Sequence, residues 1–154
     1  MSMSLQQRID ADIKAAMLAR DKDRLNALRA IKSAILLELT KEGGGTDGIT
    51  EEAGLRLLQK LHKQRAEAAT IYHQQGRPDL AGEDEAQALV IGAYLPARLS
   101  DAEVEAEVRK IIAELGATDM KAMGKVMIEA NARLAGKAEG SMVAALVKRL
   151  LAGS

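Results

Sequence analysis

The chain has 154 residues, 47% of them hydrophobic, and its 22 basic and 22 acidic side chains cancel. That is one domain or two small ones with enough apolar material for a core, and too little net charge for a general nucleic-acid binder. Cysteine, Phe and Trp are absent and only Tyr72 and Tyr94 are aromatic, which excludes disulfides, thiolate metal sites and cysteine nucleophiles and leaves an aliphatic core.

The opening MSMSLQQRIDADIK carries acids early and no continuous apolar segment, so it does not read as a signal peptide. Ser4-x-x-Gln7 forms a capping box that starts a first helix, with Leu5, Ile9, Ile13 and Met17 on one stripe. Asp21 restarts the pattern, and Leu25, Leu28, Ile31, Ile35 and Leu39 give a second stripe. The second helix ends in KEGGGTDG (41–48), a flexible loop by composition. Thr50 caps a third helix, with Glu51 and Glu52 where the helix dipole favours acids; Leu55, Leu58, Leu61, Arg65, Ala69 and Tyr72 line it until QQGRPD (74–79) breaks it. A fourth helix runs from about Leu80 to Tyr94 and stops before Pro96, because the residue preceding proline avoids the helical region. The longest apolar run, ALVIGAYLPA (88–97), is far short of a membrane span, so no membrane partner and a cytoplasmic location are expected.

Beyond Pro96 the texture changes. SDAE (100–103) is a second capping box, followed by Val104, Val108, Ile111 and Leu115, with Gly116 placed to end the helix. Thr118 or Asp119 caps the next helix, whose stripe is Met120, Met123, Met127, Ala130 and Leu134, stopped by Gly136. A last helix carries Met142, Val143, Leu146, Val147 and Leu150. No segment alternates with period two. The expected fold is all-α: a four-helix N-terminal domain, residues 1–96, followed by a three-helix C-terminal domain, residues 97–154.

Within KAMGKVM (121–127), Gly124 is unexpected, since a glycine inside a helix costs about 1 kcal/mol relative to alanine. On a wheel of about 100° per residue it falls at the edge of the methionine stripe, which predicts a close helix approach that Gly124→Leu would overpack by about 1–3 kcal/mol. Lys121 and Lys125 fall opposite that stripe and one turn apart, pointing together into solvent. Lys137, in the loop after Gly136, and Lys148, on the last helix, extend the patch where the three helices pack side by side. From Ala117 onward six bases stand against three acids, whereas residues 100–116 hold five acids and two bases.

Little else carries chemistry. Gly43-x-Gly45-x-x-Gly48 matches a dinucleotide fingerprint literally, but that fingerprint works between a strand and a helix, so a linker is expected and no cofactor. His62 and His73 share a helix face without a third ligand, so no metal is expected. Glu51–Glu52 and Glu83–Asp84–Glu85 complement helix dipoles, and no serine has a plausible base beside it in a recognisable motif; no catalytic residue is expected. QKLHKQR (59–65), with Lys60 and Lys63, and ARDKDR (19–24) read as solvated faces or phosphate contacts. Base stacking lacks the aromatic side chains it needs, so any nucleic acid held here is a folded, duplex-like shape.

DMKAMGKVMIEANARLAGKAEGSMVAALVKRLL (119–151) resembles the C-terminal motif of the GatB/YqeY proteins, with Gly124-Lys125-Val126-Met127 at its core and Gly136-Lys137-Ala138 before a final helix bearing Val147-Lys148. ARDKDRLNALRAIKSAI (19–35), KQRAEAATIYHQQGRPDLA (63–81) and YLPARLSDAEV (94–104) are similar to the stand-alone YqeY branch, so the resemblance covers essentially the whole chain. Glu139 stands where an Asp is expected, which shifts the expected cap to Ser141. The resemblance implies an all-α fold with a three-helix tail of the kind that, in the GatB subunit of the Asp/Glu-tRNA amidotransferase, helps hold the tRNA. It also implies association with carbon–nitrogen ligase activity that uses glutamine as amido-N donor. The catalytic cradle of GatB has no counterpart here. Two functions follow as expectations: a non-catalytic tRNA-binding module using Lys121, Lys125, Lys137, Lys148, Lys60 and Lys63, with Gly124, Met127 and Gly136 as structural motif; or an accessory subunit of an amidotransferase or other protein partner.

Overall fold

A computed structural model describes residues 3–41 and 48–153. Among these residues there are seven α-helices, one 3₁₀ turn and no strand: α1 Leu5–Ala19, α2 Lys22–Lys41, α3 Glu51–Gln74, α4 Pro78–Gly92, α5 Asp101–Leu115, the turn Met120–Ala122, α6 Met123–Leu134 and α7 Gly140–Ala152. The loop expected over 41–48 and the first two glycines of the Gly43-x-Gly45-x-x-Gly48 pattern fall almost wholly outside the described residues. The chain divides between Leu95 and Pro96 into two compact units.

The first unit grows from its caps. Ser4 Oγ accepts from Gln7 N–H at 3.2 Å and Gln7 Oε1 accepts from Ser4 N–H at 2.9 Å, so the capping box satisfies two end donors of α1. Asp21 Oδ1 accepts from Arg24 N–H at the start of α2, and Thr50 Oγ1 accepts from Ala53 N–H at the start of α3. Pro78 opens α4 at a position where the missing N–H costs nothing, so this helix begins before Leu80 and ends at Gly92. Ile9, Ala16, Leu28, Ile31, Ile35, Leu58, Ile91 and Tyr94 form the core. Met17, expected on the α1 stripe, is 54% exposed, and Ala16 is buried in its place.

The second unit has its own core of Val104, Val108, Ile111, Val126, Ala130, Leu134, Val143, Val147 and Leu151, with Ala138. Ser100 and Glu103 exchange the capping-box bonds at 3.2 and 2.9 Å. Gly116, at φ 63°, ends α5 in the left-handed conformation that glycine adopts without a Cβ penalty. Gly136, at φ 76° and buried, does the same after α6. Leu115 lies 45% exposed beyond the last buried turn of α5, outside the stripe expected for it.

The stretch around Gly124 departs most from expectation. Asp119 Oδ1 accepts from Lys121 N–H at 3.0 Å and starts a 3₁₀ turn, and α6 begins only at Met123. A 3₁₀ turn advances about 120° per residue, so a 100° wheel counted from Met120 is out of phase with α6. The offset moves Met120 off the buried face, where it is 40% exposed; within α6 that face is Val126, Ala130 and Leu134, and Met123 and Met127 pack only partly. A Cβ placed on Gly124 would meet nothing within 4 Å. Gly124 is an open position rather than a close helix approach, which removes the packing ground for expecting Gly124→Leu to overpack. The cap of α7 falls on Glu139, whose side chain makes no capping bond; Ser141 lies inside the helix.

Candidate nucleic-acid interface

On α5, α6 and α7 the arginines are engaged in ion pairs, while Arg98, in the segment before α5, is exposed and has none among the described residues. Arg133, on α6, reaches Glu129 at 2.8 Å on its own helix and Glu114 at 2.6 Å and Glu107 at 3.7 Å on α5. Glu107 and Glu114 are seven residues apart, two turns along one face, so a single guanidinium ties two turns of α5 to α6. These bonds push the Arg133 guanidinium above its ordinary value, the Glu114 bond most and the Glu129 bond next, while the bond to Arg133 holds the Glu114 carboxyl below the usual carboxylate range. On α5, Glu105 Oε1 accepts from Arg149 Nη2 of α7 at 2.5 Å, and Oε2 lies 3.5 Å from Arg109 Nε. The Glu105 carboxyl is lowered chiefly by the Arg149 bond.

The lysines behave differently. Lys121 (in the 3₁₀ turn), Lys125 (on α6) and Lys148 (on α7) are exposed, and Lys137, in the α6–α7 loop, is half-buried; none of the four has an ion pair among the described residues. The 3₁₀ turn packs against both α6 and α7, which places Lys121 in the same small bundle as Lys125 and Lys148. The backbone carbonyl of Lys137 accepts from Leu99 N–H at 3.0 Å, pinning its loop to the segment before α5. Lys121 lies in the 3₁₀ turn that runs directly into the helix carrying Lys125. Lys60 and Lys63 belong to the first unit, exposed on α3, where Lys63 lies 3.9 Å from Glu67.

Several other polar groups of the first unit are engaged in the fold. The Tyr94 hydroxyl donates a short hydrogen bond to the Asp12 carboxylate, and the Arg8 guanidinium sits 5.1 Å over the Tyr94 ring. Burial first, and then the Asp12 bond, push the Tyr94 phenol up to about 12. Arg8 and Tyr94 border a groove of about 750 Å³ with Leu5, Ile49, Leu55 and Glu51 along it. His73 Nε2 lies 2.7 Å from Glu85 across the α3–α4 hairpin, and His62 faces Gly92 three turns away. Among the described residues no group of three or more His, Asp or Glu side chains is placed to hold a metal ion. No described helix is long and apolar enough to cross a membrane.

The Glu129–Arg133 pair is legible as an i,i+4 spacing. The pairs of Arg133 with Glu114, Arg149 with Glu105 and Tyr94 with Asp12 span 19, 44 and 82 residues and carry no local signal.

A family model described as Yqey-like protein matches residues 6–151. Two curated proteins, each named altered inheritance of mitochondria protein 41, mitochondrial, are similar. The one from Meyerozyma guilliermondii is 31% identical over 108 residues, 68% of this chain and 54% of its own length. The one from Clavispora lusitaniae is 28% identical over 135 residues, 86% of this chain and 77% of its own. The match thus spans about half the length of the first relative.

Proposed function

Because the chain belongs to the YqeY-like protein family, we propose that it is a non-catalytic helical module that binds tRNA, or a closely related folded RNA, through its phosphates. The observation that carries this reading is the sorting of charge in the second unit: its arginines on α5, α6 and α7 are in ion pairs and its exposed lysines are not. An ammonium group meets phosphate as a point charge, whereas reading a base edge favours the planar fork of an arginine. A lysine face therefore binds backbone without choosing sequence. The second unit holds no aromatic residue, so a stacking platform for single strands is missing and a folded, duplex-like RNA suits it better. The resemblance of residues 119–151 to the tRNA-holding tail of GatB supports the same partner. The Gly124-Lys125-Val126-Met127 segment then presents Lys125 beside an open glycine.

A few lysines neutralise few phosphates. Each contact contributes about 0.9 or less to the slope of log K against log salt, so roughly three contacts give a modest slope and an affinity in about the micromolar range. The test is a tRNA titration at low salt with the parent chain, with Lys121→Glu/Lys125→Glu, and with added charge reversal at Lys60 and Lys63. The reading expects the first double change to weaken binding with helicity intact. A parent titration that stays flat to high protein concentration overturns it.

Exposed Leu18 (84%), Leu89 (79%) and Ile128 (73%) favour a second reading, an accessory subunit that docks on an amidotransferase or another protein linked to glutamine-dependent carbon–nitrogen ligase activity. A partner retained from native lysate after ribonuclease treatment supports that reading; loss of the partner with the RNA supports the first. The proposed location is the cytoplasm, while both curated relatives carry a mitochondrial label in their own names.

A further inference from the structure

Building on the RNA-backbone reading, we infer that Glu105 restrains the lysine face by standing in for phosphate, occupying two guanidinium groups, Arg149 and Arg109, that phosphate would otherwise engage. One carboxylate serves both arginines, at 2.5 Å through Oε1 and 3.5 Å through Oε2. Two anionic oxygens facing guanidinium N–H groups are what a phosphate offers. The site is at the surface: the side chains of Arg149 and Arg109 are 62% and 60% exposed and that of Glu105 is 36% exposed. Arg149 follows Lys148 directly on α7, and both are exposed. A freed Arg149 thus adds a forked donor to the helix that carries Lys148, about 100° round from it.

Arg133 is different. It is 32% exposed and bound by three carboxylates from two helices, so it fastens α5 to α6 and takes no part in the restraint. Glu105 is engaged only at the rim, where ion pairs contribute little to folding. Its removal alters the charge available to a ligand more than it alters the fold.

The experiment measures binding of a short labelled RNA duplex over a salt series. The proteins are the full chain, Glu105→Gln, Glu105→Ala, and Asp101→Asn as control. Asp101 lies on the same helix and has no ion pair among the described residues, so Asp101→Asn removes the same charge without freeing an arginine. Each arginine that gains a phosphate steepens the salt slope by about 0.9. The expected result is severalfold tighter binding by both Glu105 variants, with a slope steeper by about one to two. Asp101→Asn should leave the slope unchanged, and adding Arg149→Gln and Arg109→Gln to Glu105→Gln should return it to the parent value. Equal gains for the Glu105 and Asp101 variants would reduce the effect to net charge and overturn the inference. A parent that binds and a Glu105→Gln that binds no differently would overturn it too, leaving the lysine reading intact. If neither parent nor variants bind the duplex, both fall.

Discussion

Gly124 offers the sharpest test of the packing described above. It is the second residue of α6, with ordinary helical backbone, and a Cβ at this position meets no atom within 4 Å. Gly124→Ala therefore adds no clash and removes conformational freedom from the unfolded chain, which stabilises by about 0.5–1 kcal/mol. For a unit of the size that follows Leu95, 1 kcal/mol moves Tm by about 4–8 °C, so the expected rise is about 2–8 °C. Leucine ranks close to alanine as a helix former, and its Cβ would meet no atom within 4 Å, so Gly124→Leu should also stabilise. Thermal melts followed by far-UV circular dichroism decide the matter. Either variant melting at or below the parent would refute the open-position account and restore a close approach at this glycine. A leucine between Lys121 and Lys125 should at the same time weaken tRNA binding. Stability and affinity then move in opposite directions.

Acid titration tests the Arg133 clamp. Because the Glu114 carboxyl is held below its unfolded value, its contribution is present above the usual carboxylate pKa of about 4.3 and is lost as pH falls through the lowered folded value. Arg133→Gln should flatten the acid limb of Tm against pH, and an unchanged limb would contradict the clamp. Tyr94 works in the other direction: with its phenol raised to about 12, its stabilising share is complete below about pH 10 and is lost between about 10 and 12. Tyr94→Phe should remove that alkaline loss and, by deleting a bond to a charged acceptor, cost about 1.5–3 kcal/mol in denaturant unfolding at neutral pH. Ile111→Ala, at a fully buried position, should cost about 2–5 kcal/mol. We further propose that residues 97–154 fold alone, which a cooperative helical melt of that fragment would support and a featureless one would contradict.

Caps and stripes made most of the fold legible. Ser4, Thr50 and Ser100 each announce a helix start through a side-chain oxygen three residues ahead of the donor it satisfies, and all three bonds form. Met120 and Met17 mislead for different reasons. A 3₁₀ turn changes the angular step before α6, and the buried face of α1 runs through Ala16 rather than Met17. A hydrophobic pattern reports which residues are apolar, not how closely two backbones come together. The exposure of Lys121 and Lys125 was readable from their place opposite the core, whereas Lys137, in a loop without periodicity, is half-buried. The pairing of Arg133, Arg149 and Tyr94 was not readable, since each depends on a partner brought in by tertiary packing.

Both tyrosines precede Leu95, and the unit that begins at Pro96 has neither tyrosine nor tryptophan. Intrinsic emission therefore reports on the first unit and is blind to the second. The signal has a built-in contrast as well, since the Tyr94 phenol points at the Asp12 carboxylate, an acceptor for the proton that an excited phenol releases. Native Tyr94 should be dim and brighten when the first unit opens. Emission and helicity recorded on one sample then follow different parts of the chain, and any gap between their transitions measures how far the two units unfold independently.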